Sequence, residues 1–461
     1  MERRSRRDFL KLATAAITLA PFQSLADTPP TRPHPGPETS RISGFVDSEL
    51  ENNYPIVLQH EKELNPVGTV EFQEIGPFYP DGKVEQVPND GARSLWVRPE
   101  NPDVIYAGEW GFVGNGLEKS IDGGKTWHTS IDSEKYFFFG GVPRDFFQYE
   151  DRVFAVNDYR LLAERSDGDW GTYYVNLPVL QTGGVLKDGT ILVGGMGGLL
   201  RISDFDVEKK RYNYPTYPEK AKGLPDNIFI RSIEIDERTN RIYVGGWMDY
   251  KGISGQSEDK GGSGLWISYD NGKTFKKDYR SESLINNNDQ NPTINSIKVT
   301  YYKGNQIIII GGEGRGPLTD RKPSPDVPSL WISLNGSPFS EDLANFEGWA
   351  EENGNDLVNP QRGITETDDY LIISSYANNI VACRKQDILD VGLGLRESIA
   401  WHRISPEGFV SGVTVVVKAE DGTDTLFSGG HSWESTEPAF TPISIATNLE
   451  EQLDEIFYKD K

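Results

Sequence analysis

The chain has 461 residues, with 47 basic and 70 acidic side chains, a formal net charge of −23 and one cysteine. Length alone allows two or three domains, but the acidity argues against nucleic-acid binding through a general basic surface, and the lone Cys383 excludes an internal disulfide. Forty-eight glycines, an 11% aromatic share and few alanine-rich stretches lean towards β structure, and no segment of the mature chain approaches the roughly 20 apolar residues of a membrane helix.

The N-terminus reads as an address rather than as fold. Ser5-Arg6-Arg7-Asp8-Phe9-Leu10-Lys11 has the twin-arginine export pattern, residues 12–21 are apolar, and Ser24-Leu25-Ala26 offers small residues for cleavage before Asp27. Residues 1–26 are therefore expected to be a signal peptide, which places the mature protein in the periplasm or outside the cell. Its removal takes away five basic and two acidic side chains, leaving 42 and 68 and a net charge of about −26. Residues 27–65 read as a linker and N-terminal extension, with a Pro-rich polar stretch at 28–40.

Residues 66–461 carry a repeat. Its first pattern is a strand start: Ala92-Arg93-Ser94-Leu95, Pro143-Arg144-Asp145-Phe146, Gln181-Thr182-Gly183-Gly184, Ile230-Arg231-Ser232-Ile233, Ile294-Asn295-Ser296-Ile297, Gln361-Arg362-Gly363-Ile364 and Val410-Ser411-Gly412-Val413. The second is an apolar strand ending in small residues, as in Tyr106-Ala107-Gly108, Leu192-Val193-Gly194-Gly195 and Tyr243-Val244-Gly245-Gly246. The third is a strand running into a polar turn, as in Leu265-Trp266-Ile267-Ser268-Tyr269-Asp270. The seven starts lie 38 to 67 residues apart, which suits a four-stranded blade plus loops. One such sheet cannot bury both faces, whereas blades packed radially bury each face on a neighbour. The expected fold is all-β: a single β-propeller of seven four-stranded blades. Cys383, in the apolar run Ile380-Val381-Ala382-Cys383, is expected to be a buried strand residue.

Ser120-Ile121-Asp122-Gly123-Gly124-Lys125-Thr126-Trp127 resembles the Asp box of sialidase-like (BNR-repeat) propellers. Ser268-Tyr269-Asp270-Asn271-Gly272-Lys273-Thr274-Phe275 resembles a second copy, with Phe275 in place of Trp, and Ser333-Leu334-Asn335-Gly336 and Ser166-Asp167-Gly168 resemble decayed copies. The segment from Arg98-Pro99-Glu100-Asn101-Pro102 to the first box is also similar to the blades of xyloglucan-degrading glycosidases. The resemblance implies that Ser120, Asp122, Gly124, Thr126 and Trp127, and Ser268, Asp270, Gly272, Thr274 and Phe275, are structural. The Asp collects backbone amides, the Gly permits a turn, and the aromatic ring buries between blades.

In a propeller meander the first strand starts, and the second strand ends, at one mouth, and the box turns lie on the opposite face. Arg93, Arg144, Arg231 and Arg362 would then ring the mouth, with Thr182, Asn295 and Ser411 between them. The second-strand loops add Glu109, Trp110, Asp158, Trp247, Glu313, Arg315, Tyr376 and His431. Guanidinium groups suit carboxylate, sulfate or phosphate, Trp faces stack on sugar rings, and carboxylates, Tyr or His move protons. The bland alternative is that these arginines pair with Glu109 or Glu313 and knit blades together.

Sialidases hold a carboxylate with an arginine cluster at this kind of position. The chain departs from them: it has no Arg-Ile-Pro start near its N-terminus, seven expected blades rather than six, and no assignable Tyr–Glu nucleophile pair. Sialidase activity itself is not expected. Two functions stay open. One is an enzyme acting on an acidic or sulfated glycan, as a hydrolase using two of Glu109, Asp158 and Glu313 or as a lyase using Tyr376 or His431. The other is a non-catalytic propeller, resembling the Asp-box assembly factors of photosystem II, that docks a protein or anionic ligand on its arginine face. No cofactor or metal motif is evident; Asn286-Asn287-Asn288-Asp289-Gln290 could offer oxygens to Ca²⁺ but reads first as a solvated loop.

Overall fold

In the computed structural model, residues 69–76, 91–110, 116–131, 142–177, 179–203, 205–207, 218–226, 228–248, 264–284, 293–313, 330–339, 363–374, 380–405, 412–429 and 443–458 are described. They form seven antiparallel sheets, six of four strands and one of three among the described residues. The fold is a seven-bladed β-propeller.

Blade I consists of Gly91–Val97, Ile105–Trp110, Leu117–Ser120 and His128–Ile131, and blade II of Asp145–Tyr149, Arg152–Val156, Arg160–Glu164 and Trp170–Tyr174. Blade III runs through Leu180–Val185, Ile191–Gly195, Gly198–Ile202 and Glu219–Lys220, and blade IV through Ile228–Asp236, Arg241–Met248, Gly264–Ser268 and Lys276–Lys277. Blade V contains Thr293–Tyr302, Asn305–Glu313 and Leu330–Leu334, and blade VI contains Ile364–Glu366, Tyr370–Ser374, Ile380–Arg384 and His402–Arg403. In blade VII, Val413–Lys418, Asp424–Gly429 and Ile443–Ala446 are completed by an N-terminal outer strand, Gln73–Gly76. The first strand of each blade contacts the first strand of the next, and blade VII contacts blade I, so the ring closes. The N-terminal strand holds that closure.

The core lies between blades rather than inside them. One cluster joins Leu192 and Leu199 of blade III to Ile230, Val244 and Trp266 of blade IV, and another joins Ile309 and Ile332 of blade V to Leu371 and Cys383 of blade VI. Cys383 is fully buried, and burial drives its thiol pKa well up.

The small residues closing each second strand have a steric cause. A Cβ on Gly194 would lie 2.5 Å from Ile230 Cγ2, and one on Gly245 would lie 2.3 Å from Ile294 Cγ2. Gly108 likewise faces the Pro143 carbonyl at 2.6 Å, and Gly429 faces Ala92 Cβ at 2.7 Å. In each pair the glycine receives the residue that opens the next blade.

The two Ser-x-Asp turns are built alike. Asp122 Oδ1 accepts the Thr126 amide at 2.8 Å, its Oδ2 accepts the Thr126 hydroxyl at 2.6 Å, and Ser120 Oγ accepts the Gly124 amide at 2.8 Å. Asp270, Thr274, Ser268 and Gly272 repeat these bonds at 2.9, 2.6 and 2.9 Å. Each turn fastens to the preceding blade. Trp127 Nε1 donates to the Ile75 carbonyl of the closing strand at 2.9 Å, and the backbone amide of Phe275, whose ring is buried, donates to the Lys222 carbonyl beside blade III at 2.8 Å. Two short helices, α1 (Lys385–Gly392) and α2 (Leu449–Tyr458), follow the third strands of blades VI and VII.

Candidate functional site

Register shows which residues leave the ladder at the mouth ends of the first strands. Ala92 pairs with Glu109 and Ser94 with Gly108, so Arg93 is the extra residue of a β-bulge. The same shift leaves Gln181 bulged in blade III, Arg231 in blade IV and Asn295 in blade V. A bulge leaves one residue out of the ladder, bends the strand locally and can re-aim that side chain. Two sequence frames move by one residue as a result. The third-blade equivalent of Arg231 is Gln181, not Thr182, because Thr182 pairs with Gly194 as Ser232 pairs with Gly245. In blade VII the equivalent of Arg144 is Gly412, not Ser411. Gly412 N donates to the Gly429 carbonyl beside the Val413–Gly429 pair, as Arg144 N donates to the Val156 carbonyl beside Asp145–Val156.

The residue after each bulge is a buried hydroxyl: Ser94, Thr182, Ser232 and Ser296. Ser94 Oγ donates to the Pro143 carbonyl at 2.7 Å, and Thr182 Oγ1 donates to Asp145 Oδ2 at 2.8 Å, which also accepts the Gly183 amide at 3.1 Å. The bulge residues are thus mounted on blade-to-blade bonds. The pattern apolar–polar–Ser/Thr, shared by Ala-Arg-Ser, Leu-Gln-Thr, Ile-Arg-Ser and Ile-Asn-Ser, is the signal that fixes the frame. Asp145, which carries one of these joins, was not singled out by the sequence.

The mouth residues differ in their contacts. Arg144 is nearly buried, and its Nε and Nη2 reach Asp158 Oδ1 at 3.0 and 2.9 Å. Arg231 is half-exposed; its Nη1 donates to Gln181 Oε1 at 3.4 Å and its guanidinium lies 5.3 Å from the Phe229 ring centroid. That contact joins equivalent bulges of adjacent blades. Asn295 is buried. The backbones of Arg93, Glu109, Trp110, Trp247 and Glu313 lie at the mouth ends of first or second strands, but their side chains lie outside the described residues. Arg315, Arg362, Tyr376, His431 and the 286–290 stretch also lie outside them. Among the described residues no group of His, Cys, Asp or Glu could hold a metal, and no helix is long and apolar enough to cross a membrane.

Deeper in the first strands runs a line of alternating charge. Lys298 Nζ stands 3.4 Å from Glu366 Oε1, Lys385 Nζ stands 2.5 Å from Glu366 Oε2, and Glu234 accepts the Val299 amide at 3.0 Å. Burial pushes the Glu234 carboxyl up, whereas Lys298 and Lys385 hold Glu366 down against its own burial.

No family model and no curated protein matches the chain. Among solved structures it is similar to an ancestral GH74 enzyme, at 13% identity and a TM-score of 0.49, covering 78% of this chain and 48% of the other. It therefore spans about half the length of that enzyme. It is also similar to YCF48 from Cyanidioschyzon merolae, at 10% identity and a TM-score of 0.41, covering 82% of this chain and 99% of the other. U3-55K gives 11% identity, a TM-score of 0.49 and coverages of 82% and 99%. All three are distant, and the fold rests on strand order and register rather than on them.

Proposed function

We propose that the chain is an exported glycan-binding propeller whose bulge-ringed mouth takes an acidic or sulfated saccharide. The observation that carries this is the bulge. It recurs in four first strands, leaves Arg93, Gln181, Arg231 and Asn295 out of the ladder at their mouth ends, and is followed in two of them by a Ser or Thr bonded to the next or preceding blade. Guanidinium and amide groups in that arrangement suit carboxylate and sulfate. Binding is taken as the reading because it needs no pair of free carboxylates, and Asp158, one of the three candidate acids, pairs with Arg144. The two Ser-x-Asp turns are Asp boxes on this reading, which makes the chain a member of the sialidase-like propellers, and the twin-arginine signal exports it folded.

Calorimetric titration with uronate and sulfated oligosaccharides tests the proposal. Arg231→Ala should weaken binding by about 1.5–3 kcal/mol, and binding should weaken as salt rises. Salt-independent binding, or an Arg231→Ala variant with wild-type affinity, rejects it. Product appearing with time in the same mixtures would transfer the site to the enzyme reading.

A further inference from the structure

On the face opposite the mouth, helix α2 closes over the corner between blades VI and VII. Leu449, Leu453 and Ile456 bury its apolar side in one cluster with Tyr370 and Ile372 of blade VI, Leu426 of blade VII and Val70, just ahead of the closing strand. Its polar side is fastened as well. Gln452 Oε1 accepts the Glu71 amide at 2.8 Å, and Asp454 Oδ1 accepts the Tyr370 hydroxyl at 2.7 Å. The helix therefore ties the segment that leads into the closing strand to the blades on which the ring closes.

The corner beneath α2 is acidic. Asp424 opens the second strand of blade VII and is only 3% exposed, yet its Oδ2 has no hydrogen-bond partner. Lys418, its register partner on the first strand, is turned to Asp368 in the first hairpin of blade VI. Lys385 of α1 donates to the Thr367 carbonyl at 2.7 Å and stands 2.5 Å from Glu366 Oε2. The group bonded to Asp424 is a second carboxyl, that of Glu450 on α2. Glu450 also accepts the Asp369 amide at 3.2 Å and the Thr367 hydroxyl at 3.3 Å. Two carboxylates offer only acceptors, so a hydrogen bond between them requires a proton. Two adjacent charges at a buried corner are costly, and the pair avoids that cost by keeping one acid neutral. Burial is the largest cause at both acids and raises both; at Asp424 it outweighs the Glu450 bond and the Lys418 and Lys385 charges.

We infer that Asp424 and Glu450 share one proton, and that this proton is a pH-sensitive latch fastening α2, and with it the ring closure, to blades VI and VII. In acid the proton bridges helix and blade. As pH rises the proton is lost, two neighbouring carboxylates repel, and α2 loosens. Both native values lie above the unfolded ones, so the contribution is complete below about pH 4 and is lost as pH rises through the native values. The two Ser-x-Asp turns respond in the opposite sense, since their carboxyls are held down.

The test uses the mature protein and two readouts. The infrared difference spectrum of wild type minus Glu450→Gln should show one protonated carboxyl above about pH 5, where ordinary carboxyls have ionised; the Glu234 carboxyl, also raised by burial, cancels in that difference. Amide exchange of α2 is read relative to the buried strand Ile191–Gly195. Its protection should fall about tenfold per pH unit from about pH 4 up to the pH at which the band is lost, because each opening releases one proton. Glu450→Gln keeps an acceptor for the Asp369 amide and gives Asp424 a permanent donor, so its α2 protection should stay level over that range. Asp424→Asn should flatten the dependence in the same way from the blade side. Absence of the band, a wild-type α2 whose protection does not change with pH, or variants that keep the wild-type slope overturn the inference.

Discussion

At the mouth, blade joins blade by steric fit, with Gly194 and Gly245 receiving Ile230 and Ile294, and the polar bonds of Ser94 and Thr182 lie beside that fit. At the opposite end the turns are polar, with the Ser, Asp and Thr side chains of the Ser120 and Ser268 turns all bonded within the turn. The consequences for sequence are opposite. A turn that spends each side chain on its own amides cannot vary, and Ser-x-Asp-x-Gly-x-Thr therefore recurs. A position whose neighbours carry the join can vary, and Arg93, Arg144, Gln181, Arg231, Asn295 and Gly412 occupy equivalent positions, four of them bulged. Constancy marks scaffold here, and variation on a constant mount marks the surface available for recognition.

The steric join should give the largest effect. Ile294 is fully buried against Gly245, so Ile294→Ala should cost about 2–5 kcal/mol in urea unfolding. Gly245→Ala overfills the same contact and should cost about 1–3 kcal/mol. The double variant should cost less than the sum, because the methyl added at 245 enters the space freed at 294. Strict additivity would show that the two residues do not form one join. Next comes the mouth's ion pair: Arg144→Gln strands a half-buried Asp158 and should cost about 1.5–3 kcal/mol in the same assay. An unchanged midpoint would remove Arg144 from the scaffold.

The polar turns should show themselves in acid. Hydrogen bonds from the Thr126 side chain and amide hold the Asp122 carboxyl at about 2. Burial opposes the same shift at Asp270, but the Thr274 bonds bring it to about 2 as well. Both native values lie below the unfolded value, so the stabilisation is complete above about pH 4 and is lost as pH falls towards 2. The wild type should therefore lose melting temperature across that window. Asp122→Asn with Asp270→Asn should start lower at neutral pH and fall less steeply in acid. Parallel curves would deny the turns any charged contribution.

Much of this was legible in the sequence, and the parts that were not share a cause. The repeat shows because first strands, small-residue ends and polar turns recur in order. The frame slipped at Thr182 because a bulge adds a residue to one strand only, and at Ser411 because the Val413–Gly429 pair sets the frame; a text pattern has no partner strand to reveal either. The closing strand Gln73–Gly76 carries no repeat pattern, since it pairs with Ile443–Ala446 from the far end of the chain. The short helices α1 and α2 follow the third strands of two blades among the described residues and leave no periodic trace. The Tyr106–Glu164–Lys119 cluster joins positions 45 and 58 residues apart through blade stacking, which strand-by-strand reading does not bring together.

The smallest stability effect should come at Arg231, and its smallness is the informative part. Arg144 and Arg231 carry the same side chain at equivalent strand starts, yet one is nearly buried on a carboxylate at 2.9 Å and the other is half-exposed with a 3.4 Å bond to a neutral amide. A 3.4 Å bond to a neutral amide is weaker than two bonds to a carboxylate, so Arg231→Gln should shift unfolding less than Arg144→Gln does. The bulge should persist without the guanidinium, because Ile230 seated over Gly194 fixes the backbone on one side of it. If Arg231→Gln destabilises as much as Arg144→Gln, the mouth arginines are one class of blade fastener and the recognition reading loses its main support. If stability holds while affinity for sulfated oligosaccharide falls, the bulge presents Arg231 for a ligand rather than for its own scaffold.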